Sequence, residues 1–346
     1  MEWLLDPIVK PDVHYESQSR QHQKKLTKPE GSLGRLEEIA IRLSGMQKTK
    51  RPKLNRVWVS VFAGDHGIAA ENISVFPQAV TAEMVRNFTS GGAAVNVLSK
   101  FIRAHFEAID VGMLQTLDVP YLIVDKLSQG TANFLNRPAM NPDQLDHALI
   151  AGKNAVLRAL SKKSDLFIGG EMGIGNTTSA TAIACALLKQ TPKLLTGAGT
   201  GLSEEMIKHK TNIIRQALIK HKKNLGTPLE VLQHLGGSEI AALVGAYIYA
   251  AQNQLPVLID GFIATVAALV AIQINPQARR WFFYAHVSEE KAHQVILDEL
   301  NVKPLLDLSM RLGEASGAIV AIPILQMACK LHNEMATFKQ AQITKK

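Results

Sequence analysis

The sequence predicts an α/β protein built on a parallel β-sheet. Short β-branched and aromatic runs alternate with longer stretches of helical periodicity along most of the chain. The segments richest in glycine and acidic residues follow those short runs directly, as the ligand loops of a parallel sheet do. With 346 residues, 47% of them apolar and 20% charged, the chain has a globular composition and enough length for a large core.

Residues 1–52 are polar and hold a helical pattern from about Leu33 to Met46, where Leu36, Ile39, Ala40 and Leu43 recur at three- and four-residue spacing. "TKPEGSLGRLEE" sets a proline and two glycines ahead of it, an ordered loop and cap. "RVWVSVFAGDHG" (56–67) reads as a buried strand ending in a glycine turn. Further strands are expected at 105–112, 121–125, 165–170, 256–261 and 281–286. Helices are expected near 78–99, 143–161, 176–189, 203–223, 238–252, 262–274 and 288–300. Strands separated by helices give βαβ units, hence a parallel sheet. "LPVLIDGFIATVAALVAIQI" (255–274) is long enough to span a bilayer, but Asp260-Gly261 interrupts it and no basic anchor flanks its start. It reads as a buried strand, a turn and a buried helix. The chain has no internal repeat and no low-complexity tract.

The formal net charge of +8 is compatible with an anionic small molecule. It does not read as nucleic-acid binding. The lysines gather toward the chain ends and on helix surfaces, and the aromatics, 5% of residues, do not interleave with them as stacking platforms. "MEWLLDPIVKPDVHYESQ" contains Glu2 and Asp6 and lacks a long apolar core, so it is not read as a secretory signal. Cys185 and Cys329 lie in apolar helical stretches and are expected to be buried free thiols, which fits a reducing cytoplasm.

Chemistry concentrates at the predicted strand ends. In "GGEMGIGNTTSATA" (169–182) a glycine-rich turn opens a helix. Gly173 and Gly175 allow close backbone approach, and Asn176, Thr177 and Thr178 offer caps and phosphate donors. The stretch lacks the Lys of a P-loop and the spacing of a dinucleotide fingerprint. A plain turn and cap is the competing reading. Glu171 within the turn and a second glycine loop, "TGAGTGLS" (196–203), favour a ligand site. "AGDHGIAAE" offers Asp65 and His66, and "HVSEEKAH" can place His286, Glu290 and His293 along one helical face. Neither matches a known ligand pattern, so no metal and no cofactor is expected. In "LGGSEIAALVGA", Ser238 and Glu239 stand at a helix start, where capping and close packing compete with a functional role. In "RLGEASGA" (311–318), Glu314 sits among small residues beside the apolar run "IVAIPILQMAC". A carboxylate that loses water without a partner is costly and its pKa rises, so Glu314 is either wasted stability or a proton acceptor kept for use.

"KPEGSLGRLE", "AGDHG", "PQAVTAEMVRNF", "GGEMGIGNTTSATA", "LPVLIDGF" and "RLGEASGA" occur in this order from about Leu26 to Met335. Together they resemble the nicotinate-nucleotide:dimethylbenzimidazole phosphoribosyltransferase family of late cobalamin synthesis. The resemblance implies a Rossmann-like parallel-sheet domain over residues 53–299. It also implies a small helical domain from both chain ends (1–52 with 300–346), and a homodimer. It implies transfer of phosphoribose from nicotinate mononucleotide to 5,6-dimethylbenzimidazole, giving α-ribazole 5′-phosphate and nicotinate. By the same resemblance Glu314 is the general base and Glu171 a second carboxylate near the reacting centre. Gly173, Gly175, Asn176, Thr177, Gly197 and Gly199 fall in the mononucleotide phosphate region, Lys210 near the base pocket, and Asp260-Gly261 among the substrate-binding positions. One departure is visible. Where other members of the family set a small hydroxyl and an amide against the incoming base, this chain has Phe76 and Met84. Both are bulky and apolar, which bears on the acceptor's identity rather than on the reaction class.

Overall fold

Every residue of strand β1 (Val57–Gly64) is buried, as a strand covered on both faces of a parallel sheet must be. The computed structural model describes residues 1–197, 201 and 203–344. Helices α1 (Val13–Gln23) and α2 (Arg35–Gln47) precede β1. After it come α3 (Val80–Ser90), α4 (Ala94–Phe101), β2 (His105–Gly112), β3 (Leu122–Val124), α5 (Pro142–Ser161) and β4 (Leu166–Met172). The middle of the chain adds α6 (Asn176–Leu188), α7 (Pro192–Leu195), α8 (Glu204–His221), α9 (Pro228–Leu235) and α10 (Ser238–Gln252). The last third holds β5 (Val257–Ile259), α11 (Phe262–Ile274), β6 (Phe282–Tyr284), β7 (His286–Ser288), α12 (Lys291–Glu299), β8 (Leu306–Met310) and α13 (Ser316–Glu334).

Six strands pair in parallel in the order β3-β2-β1-β4-β5-β6. This is the doubly wound order whose direction reverses beside β1, and it directs ligands to the carboxyl ends of β1, β4 and their neighbours. Helices α5 and α10 lie so close that a Cβ on Gly152 would stand 1.8 Å from the Ala242 carbonyl, and one on Gly245 2.1 Å from that of Leu149. Glycine at these two positions sets the depth to which the helix layer settles on the sheet.

The α/β class and parallel sheet follow the expectation, and 255–274 divides into β5, a turn at Asp260-Gly261 and α11. Among the described residues no helix is long and apolar enough to cross a membrane. Three local readings are corrected. The helix expected over 78–99 is two helices, because Gly91 ends α3 in the left-handed region at φ 83°. The strand expected over 281–286 ends at Tyr284, and His286 opens a separate two-stranded sheet, β7 with β8. The helix expected from 288 begins at Lys291, so His286, Glu290 and His293 do not share a helical face. Cys185 and Cys329 are free and buried, and burial pushes both thiols up to about 12.

Candidate active site

Beyond the carboxyl ends of β4 and β5 lies a cavity of about 330 Å³, within the range of small-molecule sites. Its floor is the β4 end and the following turn: Glu171, Gly173, Gly175, Asn176 and Thr177. Gly173 is obligatory there, since a Cβ would stand 2.3 Å from the Gly64 carbonyl. Gly175 turns the chain into α6 at φ 100°, a conformation suited to glycine. In the first turn of α6 the Asn176 amide donates to the Gly173 carbonyl and the Thr178 and Ser179 amides to that of Gly175, which leaves the Thr177 amide at the cavity floor for an anion. Lys210, on α8 and only 1% exposed, donates from Nζ to the Thr177 hydroxyl at 2.9 Å. Loss of water lowers its pKa to about 8, and Glu290 opposes that shift.

The facing wall comes from Asp260-Gly261, from His286 and Ser288 of β7, and from the segment Arg311–Glu314. Gly313, Glu314 and Ala315 are all left-handed, with φ of 84°, 60° and 66°. The two non-glycine members carry backbone strain of about 1–2 kcal/mol each. Gly170 lets this segment rest on β4, because a Cβ there would lie 2.7 Å from the Ala315 amide nitrogen. Asp260 Oδ1 accepts from the Ala318 amide at 2.6 Å and ties the start of α13 to the end of β5. His286 Nε2 stands 3.8 Å from the same oxygen.

Three carboxyl groups, Glu171, Asp260 and Glu314, therefore share one pocket. Glu171 is pushed well above its ordinary range by burial and by Glu239, Asp260 and Glu314, against the opposing hydrogen bond donated by Asn176. Burial raises Asp260, while His286 and the backbone donors at α13 hold it back. Glu314, 5% exposed, is raised to about 7 by burial and then by Asp260. Its carboxylate accepts no hydrogen bond from the described residues. The arrangement supplies a proton acceptor poised near neutral pH.

Of the residues singled out in the sequence, Phe76, Met84, Glu171, Gly173, Gly175, Asn176, Thr177, Lys210, Asp260, Gly261 and Glu314 all line this cavity. Gly197 does not line it but backs it, since a Cβ there would meet Glu290 Oε2 at 2.6 Å. Gly199 lies outside the described residues. Asp65 and His66 are buried outside the cavity lining, where His66 pairs with Glu239 and Asp65 accepts from the Leu114 amide at 2.8 Å. His293 is structural: Nδ1 accepts from the Ser288 amide, Thr265 bonds Nε2, and burial drives its pKa down to about 3. Among the described residues no group of three or more His, Cys, Asp or Glu side chains is placed to hold a metal ion. Sequence reasoning missed Arg311, Ser288 and the start of α11 as wall residues. Arg311 could have been noticed, three residues before Glu314; Ser288 depends on the β7–β8 pairing, which leaves no local signal.

A model of the phosphoribosyltransferase family matches residues 8–343. The nicotinate-nucleotide–dimethylbenzimidazole phosphoribosyltransferase of Xanthomonas axonopodis pv. citri is 51% identical over 344 residues, covering 99% of each chain. That of Pseudomonas syringae pv. syringae is 48% identical over 341 residues, covering 99% of this chain and 97% of its own. The crystal structure of the enzyme so named from Thermus thermophilus superposes with a TM-score of 0.91 at 40% identity, covering 97% of this chain and all of that one.

Proposed function

The chain belongs to the nicotinate-nucleotide–dimethylbenzimidazole phosphoribosyltransferase family, and we propose that the cavity between β4, β5 and the Glu314 segment is where it performs the transfer. It is a pentosyltransferase of cobalamin lower-ligand synthesis. It moves phosphoribose from nicotinate mononucleotide to dimethylbenzimidazole and releases nicotinate.

In this reading the glycine turn, Asn176 and Thr177 receive the 5′-phosphate through the Thr177 amide and side-chain donors. Lys210, expected near the base pocket, is assigned to the phosphate instead because its Nζ donates to the Thr177 hydroxyl. Dimethylbenzimidazole attacks C1′ with one ring nitrogen as the C1′–N bond to the pyridinium breaks. The pyridinium takes that electron pair and leaves as neutral-ring nicotinate, so it requires no acid. The other ring nitrogen of the base loses its proton to Glu314. Glu171, pushed upward by burial and then by Glu239, Asp260 and Glu314, stands in the cavity floor beside the reacting sugar. Attack opposite the leaving group converts the β linkage into α. Phe76 and Met84 line the base end and favour flat apolar acceptors.

The observation that carries this reading is the Glu314 carboxyl, buried in the cavity wall without a hydrogen-bond partner among the described residues, where burial and then Asp260 raise it to about 7. A non-catalytic nucleotide-binding scaffold would have no use for it. A metal-dependent phosphohydrolase using Asp65, His66 and His286 is disfavoured by their separation, with only His286 in the cavity wall.

The assembly is proposed to be a cytoplasmic homodimer that needs neither nucleic acid nor membrane. The chain ends are proposed to form a small helical domain, 1–52 with 300–346. In support, α1 packs on α2 and α2 on α13. Leu26 also bridges to Thr337, with the Phe338 amide donating to the Lys25 carbonyl at 2.9 Å. The test is nicotinate release from nicotinate mononucleotide across a panel of benzimidazoles, purines and phenols. Release should require an acceptor base and be greatest with flat apolar ones. Release that proceeds equally without any base would mean hydrolysis and overturn the assignment.

A further inference from the structure

Two titratable side chains directly beneath the glycine turn do not line the cavity, yet they are among the most completely buried of the described residues. His66 and Glu239 are both 0% exposed, and their side chains pair at 2.7 Å between Nε2 and Oε1. The other ring nitrogen, Nδ1, lies 2.9 Å from the hydroxyl of Ser179 in the first turn of α6. The Glu239 carboxylate fixes the ring proton on Nε2, which leaves Nδ1 to accept from Ser179. Carboxylate, imidazole and hydroxyl in series form a hydrolase-like constellation, but Ser179 is fully buried and outside the cavity lining, so it is not a nucleophile here.

The ring also fills the space under three glycines. A Cβ on Gly237 would stand 2.2 Å from His66 Cε1, one on Gly173 3.3 Å from Cδ2, and one on Gly175 3.3 Å from His66 Cβ. The His66 carbonyl meanwhile accepts from Gln78 Nε2 at 3.0 Å, on the segment leading to Val80 and Met84. His66 thus joins the end of β1, the start of α10 and the first turn of α6.

We propose that Glu239, His66 and Ser179 are positioning residues that hold the Gly173–Gly175 turn and the first turn of α6 in the geometry that receives the mononucleotide's phosphate. The inference rests on the phosphate binding at this turn. The work done by the relay lies in the Ser179 link, whereas the Glu239 link satisfies a buried carboxyl whose second oxygen has no hydrogen-bond partner among the described residues.

An asparagine amide falls near the position of Nδ1 and a glutamine amide near that of Nε2, so the two links can be cut separately. Ser179→Ala and His66→Gln lose the Ser179 link. Both should raise KM for nicotinate mononucleotide about three- to tenfold, the equivalent of one net hydrogen bond, and leave KM for the base unchanged. His66→Asn keeps that link and abandons Glu239; it should melt at lower temperature with KM for the mononucleotide near that of the parent. Parental KM in both Ser179→Ala and His66→Gln, or an equal rise for both substrates, overturns the proposal. Should His66→Asn not fold, Ser179→Ala decides alone. Titration calorimetry of nicotinate mononucleotide with Lys210→Met separates the two levels. Undiminished affinity in that variant would mean that the phosphate binds elsewhere, a failure of the underlying reading rather than of the relay.

Discussion

Replacing Glu314 with glutamine keeps the side chain's shape and removes its capacity to take a proton, so the mechanism and the energetics predict opposite signs for activity and stability. General-base catalysis is worth about 10²–10⁴-fold, and kcat should fall by that order with KM little altered. In the parent, kcat should drop about tenfold per pH unit below about 7, where Glu314 becomes protonated. The stability effect follows from the same group. Its pKa rises from an ordinary 4.5 to about 7 on folding. At about 1.4 kcal/mol per pH unit, the ionised form costs the folded state on the order of 3 kcal/mol. Because the folded pKa is the higher one, this cost is absent below pH 4.5, grows between 4.5 and 7, and is complete above 7. Glu314→Gln should therefore match the parent in melting temperature near pH 4.5 and exceed it by several degrees at pH 8. Turnover at saturating substrates and thermal melts across this range check both halves. Near-normal turnover would remove Glu314 from the mechanism, and a variant less stable than the parent at pH 8 would show the carboxylate to be structural.

Asp260→Asn removes the charge that helps to raise Glu314, so the acid limb of the kcat profile should move to lower pH; an unmoved limb would show that burial alone sets Glu314. Lys210→Met should weaken nicotinate mononucleotide binding about 10-fold or more. In the parent, a bound phosphate restores the charge on Lys210, so titration calorimetry at pH 8.5 in buffers of different ionisation enthalpy should show net proton uptake, and buffer-independent heats would contradict a phosphate contact there. Phe76→Ser gives the base pocket a hydroxyl and should narrow the preference for dimethylbenzimidazole over adenine; an unchanged ratio of kcat/KM would place Phe76 outside the acceptor pocket.

The sequence made the sheet legible because parallel strands buried on both faces leave apolar runs such as Val57–Ala63, and their ends announced the ligand loops. Helix α1 escaped notice because "VHYESQSRQHQ" has almost no apolar face. Its order comes from the Asp12 side chain, which accepts from the His14 amide at 2.9 Å, and from packing on α2. β8 was equally silent, since Leu306–Met310 is a partner for β7 rather than a core strand. At the site, Glu314 and Glu171 could be read from local composition, as acids among small and apolar neighbours. His66 could not be assigned its place, because whether a histidine at a strand end faces a ligand or props a turn depends on Glu239 and Ser179, 173 and 113 residues away.

Two carboxylates stand near one helix start, and the fold treats them differently. In the first turn of α13 the Ser316 and Ile319 amides donate to the Gly313 and Ala315 carbonyls, which leaves those of Gly317 and Ala318 for a nearby acid. Asp260 takes the Ala318 amide and is thereby satisfied. Glu314 is closer in sequence to those amides, yet the left-handed run through Gly313, Glu314 and Ala315 directs it to the cavity. That run costs conformational energy and depends on close approaches that Gly170 and Gly317 permit: a Cβ on Gly317 would stand 2.1 Å from His286 Cδ2. A chain folded only for stability would exchange the two roles, capping α13 with the neighbouring acid and burying something apolar at the end of β5. Here the strain, the carboxylate crowding and the forced glycines all converge on keeping one carboxyl, without a hydrogen-bond partner among the described residues, buried in the cavity wall, which is what taking a proton from a bound heterocycle near neutral pH requires.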